Sequence, residues 1–188
     1  MANPLTIESI ISGCQQNHAA CQKALVNRYS GLLYSICLRY VGNATAAQDT
    51  LQDSFIRIFK YINKYDPDKG SIQAWMRKVT VNVALKSLNK KTLDTTSLSL
   101  DYNDTISVAP DAISNMSVDN LMEVVRTLPD GYRQVFNLSV VEGYPHKEIA
   151  KMLDIQEVTS RSNLSRAKQI LRKKLNSLYK KESWVKIN

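Results

Sequence analysis

The chain has no run of about 18 consecutive apolar residues, so no membrane-spanning helix is expected. Its first residues lack a basic start followed by an apolar core, so no secretory signal is expected. Cysteine is scarce, three in 188 residues. An odd number of thiols in a Lys-rich chain fits a reducing cytoplasm better than a disulfide framework. There is no phosphate-cradling glycine loop, no paired-histidine metal motif and no nucleophile elbow. The two histidines, His18 and His146, are far apart and in no recognisable catalytic motif. These gaps argue against an enzyme and against a resident cofactor or metal. Strand alternation is missing as well, which leaves an all-α fold.

One absence is local. Residues 92–117 hold no Lys or Arg but four Asp: Asp94, Asp101, Asp104 and Asp111. The net charge of +8 therefore sits in two blocks. Residues 1–91 carry 12 basic and 5 acidic side chains, and residues 118–188 carry 13 and 8. Two basic blocks around an acidic segment point to a polyanion touched in two places.

The hydrophobic period predicts helices over Thr6–Cys14, Asn17–Val41, Ala44–Lys64 and Ser71–Lys90, with Asn17 and Ser71 as N-caps. A second set is expected over Val118–Arg126, Asp130–Val141, Pro145–Met152 and Glu157–Lys181. Residues 92–117, rich in Ser, Thr and Asp, read as a flexible linker. Fully extended they reach about 85–90 Å, enough to separate two domains by two turns of DNA, about 70 Å. The expected organisation is a small helical domain over 1–91, the linker over 92–117 and a second helical domain over 118–188.

Cys14, His18 and Cys21 are spaced to share a helical face and raise a metal reading. Ile7, Ile10, Ile11 and Leu25 continue that stripe and no fourth ligand is apparent, so small buried hydrophobes account for them better.

Residues 145–175 carry the clearest motif. Ile149, Ala150 and Leu153 form one apolar stripe, Ile155 sits in a turn, and Leu164, Ala167, Leu171 and Leu175 form a second stripe. A short helix, a tight turn and a longer basic helix make a helix-turn-helix, whose second helix enters the DNA major groove. At about 100° per residue, Ser162, Ser165, Arg166, Gln169 and Lys173 lie opposite the stripe, flanked by Arg161 and Asn163. Arg and Gln can pair with base edges, and Ser can reach a base or a phosphate. The plainer reading is a solvated face of a helical hairpin. The coincidence of stripe, turn and polar face favours DNA.

Two other faces stand out. On the third helix, Leu51, Phe55, Ile58, Phe59 and Ile62 face the core, while Asp49, Gln52, Asp53, Ile56 and Lys60 face away. An apolar Ile56 ringed by polar groups can mark a protein contact or an ordinary exposed residue. The fourth helix is apolar nearly all round, with a narrow strip of Lys78, Asn82, Lys86 and Asn89, and Trp75 on the same line. Cations, amides and an indole on one strip suit single-stranded or distorted DNA. Trp75 itself fits the core better.

Taken in order, these surfaces resemble the extracytoplasmic-function group of the sigma-70 family, the promoter-specificity subunits of bacterial RNA polymerase. The resemblance covers almost the whole chain. Residues 49–59 (DTLQDSFIRIF) are similar to the region 2 stretch that binds the largest subunit of core RNA polymerase. Residues 70–85 (GSIQAWMRKVTVNVAL) resemble the strip that opens and reads the −10 element. Residues 128–136 (LPDGYRQVF) and 142–150 (EGYPHKEIA) resemble the start of region 4, and 159–168 (TSRSNLSRAK) its −35 recognition helix.

The resemblance implies three sites. Polymerase contact falls on Asp49, Gln52, Asp53 and Ile56. Contact with −10 DNA falls on Tyr65, Lys69, Ser71, Lys78, Asn82 and Lys86. Contact with −35 DNA falls on Arg161, Ser162, Asn163, Ser165, Arg166, Gln169 and Lys173. It implies core RNA polymerase, promoter DNA and an anti-sigma factor, often membrane-anchored, as partners. The chain departs from the family pattern at Asp154 and Val158, where Gly is usual, at Gln156, where Pro is common, and at Asn163, where Arg is frequent. The turn after Tyr65 corresponds to the loop that captures a flipped −10 base. Two rivals remain: a one-component helix-turn-helix regulator acting without polymerase, which would carry a ligand-sensing first block, and, more distantly, an RNA-binding or anti-termination protein.

Overall fold

The structure, a computed structural model, describes residues 6–92 and 118–185. All regular elements among these are helical. They divide into two compact units, Met1–Lys91 and Thr92–Asn188. The linker reading of residues 92–117 lies almost wholly outside the described residues.

In the first unit α1 spans Ile7–Gln15, α2 Ala19–Val41, α3 Ala44–Tyr61 and α4 Ile72–Thr92. Thr6 caps α1, its hydroxyl accepting from the Ser9 N–H at 3.3 Å. Asn17 is not the cap of α2. It takes the left-handed conformation (φ 61°), which Asn tolerates better than most residues, and His18 occupies the cap position. The α1–α2 corner is tight. A Cβ on Gly13 would stand 2.2 Å from Cys21 Sγ, so only glycine lets the helices approach this closely.

Gly42, at φ 80°, ends α2 in the left-handed C-cap that glycine adopts without a steric cost. Asn43 then starts α3, its side chain accepting from the Ala46 N–H at 2.8 Å. Leu25, Leu33, Ile36, Tyr40, Ile58 and Met76 are fully buried. The α2–α3 contact also buries Thr50 and Ser54. Their hydroxyls bond back to Ala46 O and Thr50 O, so neither is left unsatisfied. α3 stops three residues earlier than its period suggests. Residues Ile62–Lys64 form a 3₁₀ turn, a second such turn spans Pro67–Lys69, and Ser71 Oγ accepts from the Ala74 N–H at 3.2 Å to open α4.

In the second unit α5 spans Val118–Arg126, α6 Asp130–Phe136, α7 His146–Leu153 and α8 Glu157–Val185. The expected single helix 130–141 changes pitch instead: Asn137–Val141 is a π turn, closed by Glu142 N–H to Asn137 O at 2.9 Å. Gly143 follows at φ 78° and leads to Pro145, the cap position of α7. α8 carries the core. Val124, Val125 and Leu128 pack on Ala167, Ile170, Leu171 and Leu175. Leu164, expected in that stripe, is only half-buried, whereas Ser160 and Ile170 are inside. The cause is that α8 meets α7 on its first half and α5 and α6 elsewhere, so its buried face is wider than a two-helix stripe.

The carbonyl end of α5 is closed by two cations. Lys174 Nζ donates to Thr127 Oγ1 at 2.6 Å. Buried Arg133 donates to Leu128 O at 2.9 Å and to Asp130 Oδ1 at 2.6 Å. These side chains supply the partners that a helix terminus lacks.

Candidate functional site

The helix-turn-helix is α7, the turn at Asp154 and α8. Asp154 takes φ 53° and ψ 49°, the left-handed conformation in which Gly is usual, and Ile155 N–H bonds Ala150 O at 3.0 Å. The departure at this position therefore leaves the turn intact. The two helices are locked by Ile149, fully buried, and by a bond between His146 Nδ1 and the buried Ser160 Oγ at 2.8 Å. Nothing in the sequence pattern marked that pair, because it joins residues 14 apart through space.

On α8, Arg161, Ser162, Ser165 and Arg166 are exposed. Asn163, Gln169 and Lys173 are half-buried. Arg161 is held by Glu157, Nη2 to Oε1 2.6 Å, one helical turn earlier. Ser162 Oγ donates to Thr159 O at 3.0 Å, and its lone pairs remain available. Lys168 and Arg172 are exposed too and were missed; only packing shows that they clear the core. Val158 was marked only as a departure, yet its side chain is 74% exposed.

In the first unit Asp49, Gln52, Asp53, Ile56 and Lys60 are exposed on one side of α3, Ile56 at 66%. On α4, Lys78, Asn82 and Lys86 are exposed; the side chain of Asn89 lies outside the described residues. These two faces meet. Asp53, Ile56 and Lys60 of α3 share a hollow of about 370 Å³ with Val83, Lys86 and Ser87 of α4. Sequence periodicity treats each helix alone and cannot show that adjacency.

Trp75 is half-buried rather than core. Its ring centroid lies 6.0 Å from that of Tyr65, tilted by 58°. Tyr65 in turn donates its hydroxyl to Gly70 O at 3.1 Å, across the turn that precedes α4. Asp66 stiffens the same turn by accepting from Lys69 Nζ at 2.9 Å and from the Asp68 N–H at 3.1 Å. The Lys69 ammonium first, then the backbone bond, holds the Asp66 carboxyl below its usual range. The carboxylate equally holds the Lys69 ammonium above its own. Tyr65 and Ser71 also line a larger hollow, about 570 Å³, floored by Ile7, Ile11, Tyr29 and Ile72.

Cys14 lies in α1 and Cys21 in α2, and both are free thiols. Among the described residues no group of three or more His, Cys, Asp or Glu is placed to hold a metal ion. Burial first, and the neighbouring Cys21 second, push the Cys14 thiol up to about 11.

Comparison with known proteins agrees with this geometry. The model for Sigma-70 region 2 matches residues 25–93, and that for Sigma-70, region 4 matches residues 119–171. Together they take in more than half of the chain. The ECF RNA polymerase sigma factor SigW of Bacillus subtilis (strain 168) is 28% identical over 167 residues, 82% of this chain and 88% of that protein. The ECF RNA polymerase sigma-E factor of Haemophilus influenzae is 23% identical over 190 residues, 95% of this chain and 100% of that protein. Among solved structures, the sigma factor RpoE from Bartonella quintana, in complex with the anti-sigma factor NepR, is similar in fold. Its TM-score is 0.51 at 16% identity, covering 82% of this chain and 96% of that one. Two basic helical units, the second a helix-turn-helix, each matched in order by its own family model, place this chain in the sigma-70 family as an extracytoplasmic-function RNA polymerase sigma factor.

Proposed function

We propose that this sigma factor binds core RNA polymerase through α3, directs it to promoters with −35 and −10 elements, and helps to melt the −10 region. The observation that carries the reading is Ile56, 66% exposed and ringed by exposed Asp49, Gln52, Asp53 and Lys60. A branched apolar side chain kept in water inside a polar ring is suited to bury against a partner protein. The −10 contacts then fall to Tyr65, Lys69, Ser71, Lys78, Asn82 and Lys86, and the −35 contacts to the exposed face of α8. Lys78 and Lys86 meet phosphates, while Asn82 between them can read a base edge. Region 2 spans residues 1–91 and region 4 residues 118–188, with 92–117 as the connection.

The chain itself catalyses no reaction in this reading and works in the cytoplasm, where polymerase and DNA are. No helix among the described residues is long and apolar enough to cross a membrane. An anti-sigma factor, membrane-anchored in many such systems, is the further partner. A regulator acting without polymerase is disfavoured, because residues 25–93 match Sigma-70 region 2 where such a protein would carry a sensing domain.

The test is co-purification with bacterial core polymerase. Gln52→Ala with Ile56→Ala should weaken assembly while helicity is kept, since both side chains are exposed. Full assembly by the double variant would move the contact elsewhere.

A further inference from the structure

We propose that Val158 is a base-reading residue of α8 that takes the C5 methyl of a thymine in the −35 major groove; this rests on α8 being the −35 helix. Val158 is 74% exposed, more than Ile56, Val140 or Leu178, the other exposed large hydrophobic residues described. Exposure alone decides nothing, because single apolar residues are common on surfaces. Position decides.

Val158 is the second residue of α8, which begins at Glu157. At about 100° per residue, 158, 162, 165 and 169 fall within roughly 60° of one another. That line lies opposite the buried Ser160, Ala167 and Leu171. It is the helix face aimed away from the core, and its first turn is the part of a recognition helix that reaches base edges. Ser162, Ser165 and Gln169 on the line carry donors and acceptors. Val158 carries neither.

The major groove offers one apolar feature, the thymine methyl. A β-branched side chain suits it, because its χ1 is nearly fixed on a helix and little rotamer freedom is lost on contact. The charges nearby do not interfere. Glu157 is engaged by Arg161 at 2.6 Å, and that pair sits to one side of the line.

The experiment uses the full chain with core polymerase. A randomised −35 library first gives the preferred site. Each thymine in that site is then replaced singly by deoxyuridine, which removes the methyl and nothing else. Wild type should lose about threefold to fivefold in binding at one thymine, the value of one buried methyl-sized group. Val158→Ala should bind the thymine and uracil duplexes equally at that position, and Val158→Thr, which keeps one methyl, should retain part of the difference. Arg166→Ala is the control. If it alters base preference while wild type ignores every thymine methyl, α8 reads the −35 element and the proposal for Val158 is overturned. If neither variant alters base preference, the reading of α8 fails and takes the proposal with it. A methyl effect that persists in Val158→Ala, or a selected site without thymine, also overturns it.

Discussion

Replacing Arg133 by Met keeps a chain of similar length and removes the guanidinium. Arg133 is 5% exposed, and its guanidinium closes the end of α5. Nη1 donates to Leu128 O at 2.9 Å and to Arg126 O at 3.3 Å, and Nη2 donates to Asp130 Oδ1 at 2.6 Å. Arg126 is the last residue of α5 and Leu128 lies just beyond it, where no helical N–H follows to meet these carbonyls. Leu128 is 2% exposed, so water reaches its carbonyl poorly. A hydrogen bond from a charged donor contributes about 1.5–3 kcal/mol. The Asp130 pair counts for less, since its carboxylate is 49% exposed and screened.

The net cost is therefore about 2–4 kcal/mol. A unit of this size has a total stability of about 4–10 kcal/mol, so the loss is a large fraction. Hydrogen exchange on the full chain, read peptide by peptide, separates the two units. Amides of α5, α6 and α8 should exchange roughly 30-fold to 900-fold faster, with α1–α4 unchanged. If the α5–α8 amides speed up no more than those of α1–α4, Arg133 does not hold the second unit together.

Gly13→Ala puts a Cβ 2.2 Å from Cys21 Sγ and 2.8 Å from its Cβ, so α1 must shift. The first unit should lose about 1–3 kcal/mol, partly recovered by Cys21→Ala, as urea titration would show. Arg166→Ala should leave folding alone, since the side chain is exposed, and should relax preference at one or two −35 positions by about 1–3 kcal/mol in the randomised-library assay. The buried Cys14 and Cys37 thiols, both raised from 9.0 to about 11 chiefly by desolvation, should resist alkylation in the native protein. Because their folded pKa is the higher one, their contribution to stability is complete below about 9 and fades as pH rises towards 11. Alkylation of all three cysteines at one rate would contradict this burial.

Much of the molecule is written locally. Helix type and number follow from apolar residues at a 3.6 period and from breakers such as Gly42, Pro67 and Gly143, which act within a few residues of themselves. The outward faces of α3 and α4 follow from the same period, so Gln52, Ile56, Lys78 and Asn82 were legible without coordinates. The acidic 92–117 segment between two basic blocks already implied two contacts with a polyanion. Tertiary structure decided what depends on residues distant in sequence. Three helices pack on α8, which drew in Ser160 and Ile170 and left Leu164 half-out. The π turn after α6 re-aims the chain before α7 by geometry that periodicity does not carry. Asp154, unlike Asn17, was placed correctly in a turn, but only the backbone shows that both are left-handed. The hollow joining Ile56 to Lys86 and the His146–Ser160 bond both need two elements positioned at once. Local pattern specifies which side of a helix is apolar; only packing specifies which residues on that side find a partner.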